Sequence, residues 1–140
     1  MRENGEKGSV SVEAALGMLI LAPLLMMIIE GAYALNEYST LLDASREGAR
    51  MVLRNEGDAS QVEELVQSLT GDISGDAPTV NVEVDTLDPG HPTVTVQVEH
   101  DYEPHLFSIS KDNDLFDIPL LKGDYTFTAS TVMPLLSANN

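Results

Sequence analysis

The chain has 140 residues, with seven Lys and Arg against 23 Asp and Glu and a formal net charge of −16. That length fits one ordinary domain, or a small domain with an anchor. So few cations argue against nucleic-acid binding, which needs clustered Lys and Arg to neutralise phosphates, and the absence of cysteine excludes disulfides, thiolate metal sites and a cysteine nucleophile.

The first element is apolar. No residue from Ala14 to Ile29 is charged, a run of 16 positions. Extending it to Leu35 gives 22 positions and takes in Glu30. At about 1.5 Å per residue that covers roughly 33 Å, enough for a hydrocarbon core of about 30 Å. Glu13 and Glu30 then lie near opposite interfaces, where a carboxylate costs much less than at mid-bilayer. Pro23, Gly17 and Gly31 are tolerated in such helices. Leu, Ile, Met and Ala occupy every face, so the helix needs burial all round. The rest of the chain is too small and polar to provide it. Arg2 and Lys7 are balanced by Glu3 and Glu6, and no clean cleavage site follows the run. Both features favour a retained anchor over a secretory signal peptide. Arg2 and Lys7 stand close to the run, whereas Arg46, Arg50 and Arg54 stand far beyond it. The expected orientation is N-terminus in the cytoplasm.

The helix continues past the anchor. Ala34, Tyr38, Leu41, Leu42, Ala49, Val52 and Leu53 recur near a period of 3.6. Ser45 and Gly48 are small, lie on the same side and allow close approach to a neighbour. Asp43, Arg46, Glu47, Arg50 and Arg54 fall largely on the other side. One helix is predicted from about Ser11 to Asn55, with Gly57 as its stop.

A second helix is signalled by the capping-box pattern Ser60-Gln61-Val62-Glu63, with Asp58 as the other candidate cap. Val62, Leu65, Val66 and Leu69 follow at helical spacing, and Gly71 ends it. The period then changes to two. Val80, Val82 and Val84, then Val94, Val96 and Val98, alternate with polar residues around Asp88-Pro89-Gly90. A third alternating segment holds Tyr125, Phe127 and Ala129. The connection from Glu103 to Lys122 carries scattered apolar residues that are expected to tuck against the sheet. The predicted class is α+β: a long N-terminal transmembrane and projecting helix, a second short helix, and a three-stranded antiparallel sheet covered by both.

Little points to catalysis. His91, His100 and His105 have no zinc-ligand spacing and are read as surface histidines. Asp112, Asp114 and Asp117 lack the glycine and terminal glutamate of a calcium loop and are read as a solvated acidic loop. There is no nucleophile elbow and no phosphate-binding glycine loop. No cofactor and no enzymatic activity are expected.

Gly8-Ser9-Val10-Ser11-Val12-Glu13, placed before an apolar helix, resembles the type IV prepilin signal. A wider set of residues resembles the TadE-like family of minor pilins and pseudopilins of tight-adherence (Flp) pili. These are Val12-Glu13-Ala14-Ala15-Leu16, Ala22-Pro23-Leu24-Leu25, Ile29-Glu30-Gly31 and Asp43-Ala44-Ser45-Arg46-Glu47-Gly48-Ala49-Arg50. The Arg46, Glu47, Gly48, Ala49, Arg50 stretch is the most specific part. The closing segment from Tyr125 to Met133 is similar too.

The resemblance implies a pilin-like layout: a leader over 1–8, a transmembrane helix over 9–35, its extension over 36–57, and a small α+β domain over 58–140 outside the cytoplasm. It implies cleavage between Gly8 and Ser9 by a prepilin peptidase, with Glu13 pairing with the amine of a neighbouring subunit. Glu13, Glu30, Tyr38, Ser45 and Gly48 are expected at subunit contacts. The implied partners are the prepilin peptidase, other pilins and minor pilins, the inner-membrane pilus assembly platform and membrane lipid, and no nucleic acid. The expected location is the inner membrane, single-pass, with the pilus at the cell surface as a second site. Two alternatives stay open: an uncleaved single-pass anchor whose outer domain binds a partner, and a membrane-tethered enzyme.

Overall fold

A computed structural model describes residues 4–85, 92–106 and 125–135, with side chains described from Val10 onward. Its elements are α1 (Asn4–Arg54), α2 (Val62–Leu69), β1 (Thr79–Asp85), β2 (Thr93–Tyr102) and β3 (Tyr125–Pro134). The chain is α+β, with the long helix, the short helix and one three-stranded antiparallel sheet of order β1-β2-β3. The turn Asp88-Pro89-Gly90, His91, most of the Glu103–Lys122 connection and the Asp112, Asp114, Asp117 loop lie outside the described residues.

At about 1.5 Å per residue, the 51 residues of α1 extend roughly 76 Å. The sequence places its start near Ser11, but the helix already runs from Asn4, through Gly8 and past Pro23. Its first part is uncovered. Val10, Leu16, Leu19, Ile20, Leu24, Leu25 and Ile28 are all exposed, so the apolar surface surrounds the axis as the sequence predicts. By length and composition this helix can cross a membrane.

Cover begins at Glu30. From there one stripe of α1 faces the sheet and α2, and Glu30, Glu37, Leu41, Ala44, Ser45, Gly48, Ala49 and Val52 are buried along it. The expected stripe is rotated slightly. Leu42 and Leu53 are only half-buried, Tyr38 is exposed, and the two glutamates lie inside. The helix ends in a Schellman-type turn: the Gly57 N–H donates to the Val52 carbonyl at 2.9 Å, with Glu56 at φ 55° and Gly57 at φ 96°, both in the left-handed region. That conformation is open to glycine and strained for other residues.

α2 forms without the predicted capping box. Gln61 is its N-cap and makes no side-chain bond. Asp58 acts instead, one turn earlier, accepting the Ser60 N–H at 2.9 Å. This bond holds the Asp58 carboxyl below its ordinary range. Val62 and Val66 face the core, while Leu65 is half-buried and Leu69 exposed.

In the sheet, Val80, Val82 and Val84 stand opposite Val98, Val96 and Val94. Val96 and Val98 stand opposite Thr131 and Ala129 on the other side. The core is built from small and β-branched residues: Ala44, Ala49, Val52, Val62, Val66, Val94, Val96, Val98 and Ala129, with Leu41. Such side chains let the helices lie close on the pleated surface. Gly48 marks the tightest point. A Cβ there would stand 3.0 Å from Val62 Cγ1 and 3.3 Å from Val96 Cγ1.

Candidate functional site

Glu30 and Glu37 are seven positions apart, about two turns, and so face the same side of α1. Each is buried, and each is held by residues distant in sequence. The Glu30 carboxylate accepts a hydrogen bond from the Tyr102 hydroxyl at the end of β2. It also accepts the backbone N–H groups of His105 and Leu106, each at 2.8 Å. A short strap after β2 therefore closes over the helix at this level. The His105 ring stacks on Tyr33 of α1 at a centroid distance of 4.6 Å. Tyr102 also packs against Phe127 of β3 at 5.0 Å.

Burial, the hydrogen bond to Glu30 and the charges of Glu30 and Glu37 together push the Tyr102 hydroxyl above its ordinary range. The phenol is thereby kept as the donor that Glu30 requires.

Glu37 lies two turns further on. Its Oε1 accepts the Ser74 hydroxyl at 2.8 Å. His105 Nε2 stands 3.6 Å from the same oxygen, and His100 Nε2 stands 3.8 Å from Oε2. Glu37 Oε2 and His100 Nε2 are both buried and have no hydrogen-bond partner.

His100 corrects an expectation. It is 3% exposed, not a surface residue. His105 is partly exposed and serves the strap. The signal for His100 was in the sequence, because Val94, Val96 and Val98 continue in phase to His100 and Tyr102.

The expected assembly residues divide. Glu13 lies exposed on the uncovered helix. Tyr38 is 40% exposed and meets Phe127 edge-on at 6.1 Å. Ser45 and Gly48 are used within the chain. Ser45 Oγ lies 2.7 Å from Thr131 Oγ1, and Gly48 sits under Val62 and Val96. The neighbour they were expected to admit is the protein's own sheet and second helix. Glu30 is likewise enclosed by the protein's own strap.

The Arg46–Arg50 stretch splits in the same way. Gly48 and Ala49 face the core, and Arg46, Glu47 and Arg50 lie outside. Arg46 pairs with Asp43 at 3.1 Å, and Glu47 pairs with Arg54 at 2.8 Å and Arg50 at 3.5 Å. Asp43, Arg46, Glu47 and Arg50 border an open groove of about 440 Å³ with Thr40, Ala44 and Leu69. Among the described residues no set of three His, Asp or Glu side chains is arranged to hold a metal ion.

No curated protein and no solved structure matches the chain. A family model does. The match begins at Gly8, takes in the uncovered apolar helix and the Glu30–Glu37 face, and ends at Arg50. The matching model is described as TadE-like protein, and residues 8–50 of the chain are similar to it.

Proposed function

We propose that this chain is a TadE-like minor pilin or pseudopilin that supports assembly of a tight-adherence type IV pilus used for adhesion or secretion. The observation that carries the reading is the family match, which starts at Gly8 and spans an apolar helix that the rest of the protein leaves bare. A helix apolar on all faces sits equally well in lipid and in a filament core. In this reading the N-terminus is cytoplasmic and the sheet domain lies outside the inner membrane. The prepilin peptidase, other pilins and the assembly platform are its partners. It is not an enzyme: its work is packing.

Processing is the first step. The Gly8–Ser9 bond lies in the second turn of α1, so the peptidase must unwind that end to reach it. A glycine in a helix costs about 1 kcal/mol relative to alanine, which weakens the turn where the cut is needed. The test is the intact mass of protein extracted from membranes. Loss of residues 1–8 is expected, and Gly8→Ala should keep the full-length mass. An uncut wild-type chain would instead support a single-pass anchor whose outer domain binds a partner. The unbroken helix through Gly8 is the feature that favours that second reading.

A further inference from the structure

We propose that the sheet domain is docked on the bilayer, with its membrane-side end sunk among lipid headgroups. The outer face of α1 from Tyr33 to Tyr38 and the adjoining ends of β2 and β3 form the lipid-contact surface. This rests on the single-pass reading above and adds a second membrane contact beside the spanning helix. It starts from where the charges of α1 go. Of the 29 positions between Glu13 and Asp43, only Glu30 and Glu37 are charged. Both are buried against the protein's own sheet domain. The side of α1 turned away from that domain therefore carries no charge from Ala14 to Leu42, a length of about 43 Å. A hydrocarbon core needs about 30 Å, so the uncharged surface overshoots it by roughly 13 Å. The domain begins to cover the helix within that overshoot.

Depth follows from helix rise. With Glu13 at the inner interface, about 20 residues cross the core and bring Tyr33 to its outer edge. Tyr38 lies about 7.5 Å further out, at the limit of a headgroup layer about 5–8 Å thick. The residues in between suit that layer. Tyr33, Leu35, Asn36 and Tyr38 are exposed. Just beyond, the Ser39 and Thr40 hydroxyls donate to the Leu35 and Asn36 carbonyls at 2.8 and 3.1 Å, and so need no water. The sheet meets α1 at the same height. Tyr102 reaches Glu30, Tyr125 is its register partner, and Phe127 lies edge-on to Tyr38. All four tyrosines of the chain thus gather at one level, as amphipathic aromatic rings do at a membrane–water interface.

Glu30 then falls about 4.5 Å inside the outer edge of the core, where water is scarce. A carboxylate at that depth needs its hydrogen bonds from the protein. The Tyr102 hydroxyl and the His105 and Leu106 N–H groups supply three. To do so, the end of β2 and the strap after it must reach the same depth. The shield around Glu30 therefore carries the end of the sheet into the lipid surface. With a net charge of −16, the chain is repelled by anionic headgroups, so the surface fits zwitterionic lipid.

The test is a depth measurement on the full chain in phosphatidylcholine nanodiscs. The chain has no cysteine, so a nitroxide can be attached at one exposed position at a time: Ile20→Cys, Asn36→Cys, Arg50→Cys, Thr126→Cys and Val132→Cys. Collisions with oxygen, which concentrates in lipid, are compared with collisions with a water-soluble nickel chelate. Labels at Asn36 and Thr126 should meet nickel several-fold less, and oxygen more, than labels at Arg50 and Val132. Asn36 and Thr126 labels as open to nickel as those two, with the Ile20 label in lipid, would overturn the docking and leave the single-pass reading standing. An Ile20 label open to nickel would overturn both. Asn36 and Thr126 labels shielded from oxygen and nickel alike would mean that protein, from this chain or a second copy, covers the surface, and that too would overturn the proposal.

Discussion

Glu30 and Tyr102 are 72 residues apart in sequence, yet the Tyr102 hydroxyl donates to the Glu30 carboxylate where α1 passes from bare helix to covered helix. This contact and the two strap N–H groups fix the domain at a set height on α1. Glu30→Ala leaves three donors without their acceptor. The expected loss is about 2–3 kcal/mol, as for a charged hydrogen-bonding group removed from a buried site. Tyr102→Phe removes one donor and should cost about 1–2 kcal/mol. Guanidinium unfolding of the detergent-solubilised chain, followed by far-ultraviolet circular dichroism because the chain has no tryptophan, checks both. Equal midpoints for Glu30→Ala and wild type would remove Glu30 from the set of structural contacts.

Tyr102 gives a second, alkaline test. Its folded value is raised, so the neutral phenol is favoured by folding. The contribution is fully present below the ordinary tyrosine value of about 10 and is lost as pH rises through the folded value. Stability should therefore decline above about pH 10. Of the four tyrosines, one should form phenolate later than the others, or only when the domain unfolds. Ultraviolet absorbance of phenolate during a pH titration measures this directly. Tyr102→Phe should delete the late step. Four tyrosines titrating together in the folded protein would contradict it.

Gly48 tests how close the two helices and the sheet lie. Gly48→Ala gains about 1 kcal/mol of helix propensity but places a methyl group 3.0 Å from Val62 Cγ1. The two effects should nearly cancel, leaving stability within about 1 kcal/mol of wild type. Gly48→Leu has no such compensation and should cost at least about 2–3 kcal/mol by overpacking. α2 should then detach, which raised protease sensitivity near Ala59 would report. A Gly48→Leu protein as stable as wild type would mean that α2 is not held against α1 at this point.

Much of this arrangement was legible in advance, for reasons specific to each element. The bare helix is read from an uninterrupted apolar run, and β1 and β2 from valines at period two. Those patterns are local, and local patterns survive in one sequence. The Glu30–Glu37 face is different. Glu30, Glu37, Leu41, Ser45 and Gly48 fall on one stripe, but two carboxylates in it look like an interface charge and a solvated residue. Their partners Ser74, His100, Tyr102 and His105 come from other elements, and no spacing rule connects them. His100 was nearer to detection. It keeps the period of the β2 valines, and only its polarity made the inward position look like the end of the pattern. Ser45 and Gly48 were read as making room for a neighbour, which is what they do. The neighbour was the protein's own sheet and α2, a choice that side-chain size cannot make.

Glu13 separates membrane insertion from assembly. It is exposed on the bare helix, and among the described contacts no group of this chain is bonded to it. Cleavage after Gly8 would put a new α-amino group at Ser9, four positions before Glu13. The amine of one subunit can then meet the Glu13 carboxylate of the next, and pairing two charges in an apolar filament core relieves a cost that each would bear alone. Glu13→Ala removes a carboxylate from the edge of the apolar run, so insertion should be unaffected or slightly favoured. Alkaline extraction of membranes should recover the variant in the membrane fraction at the wild-type level. Pilus assembly, counted by electron microscopy in cells carrying only the variant, should fall by an order of magnitude or more, since truncating one partner of a buried charge pair typically costs about 3–5 kcal/mol. Glu13→Gln keeps the shape and lacks the charge, and should fail in the same way. Normal piliation in both variants would show that Glu13 pairs with nothing during assembly, and it would leave the cleavage signal as the only role for that carboxylate.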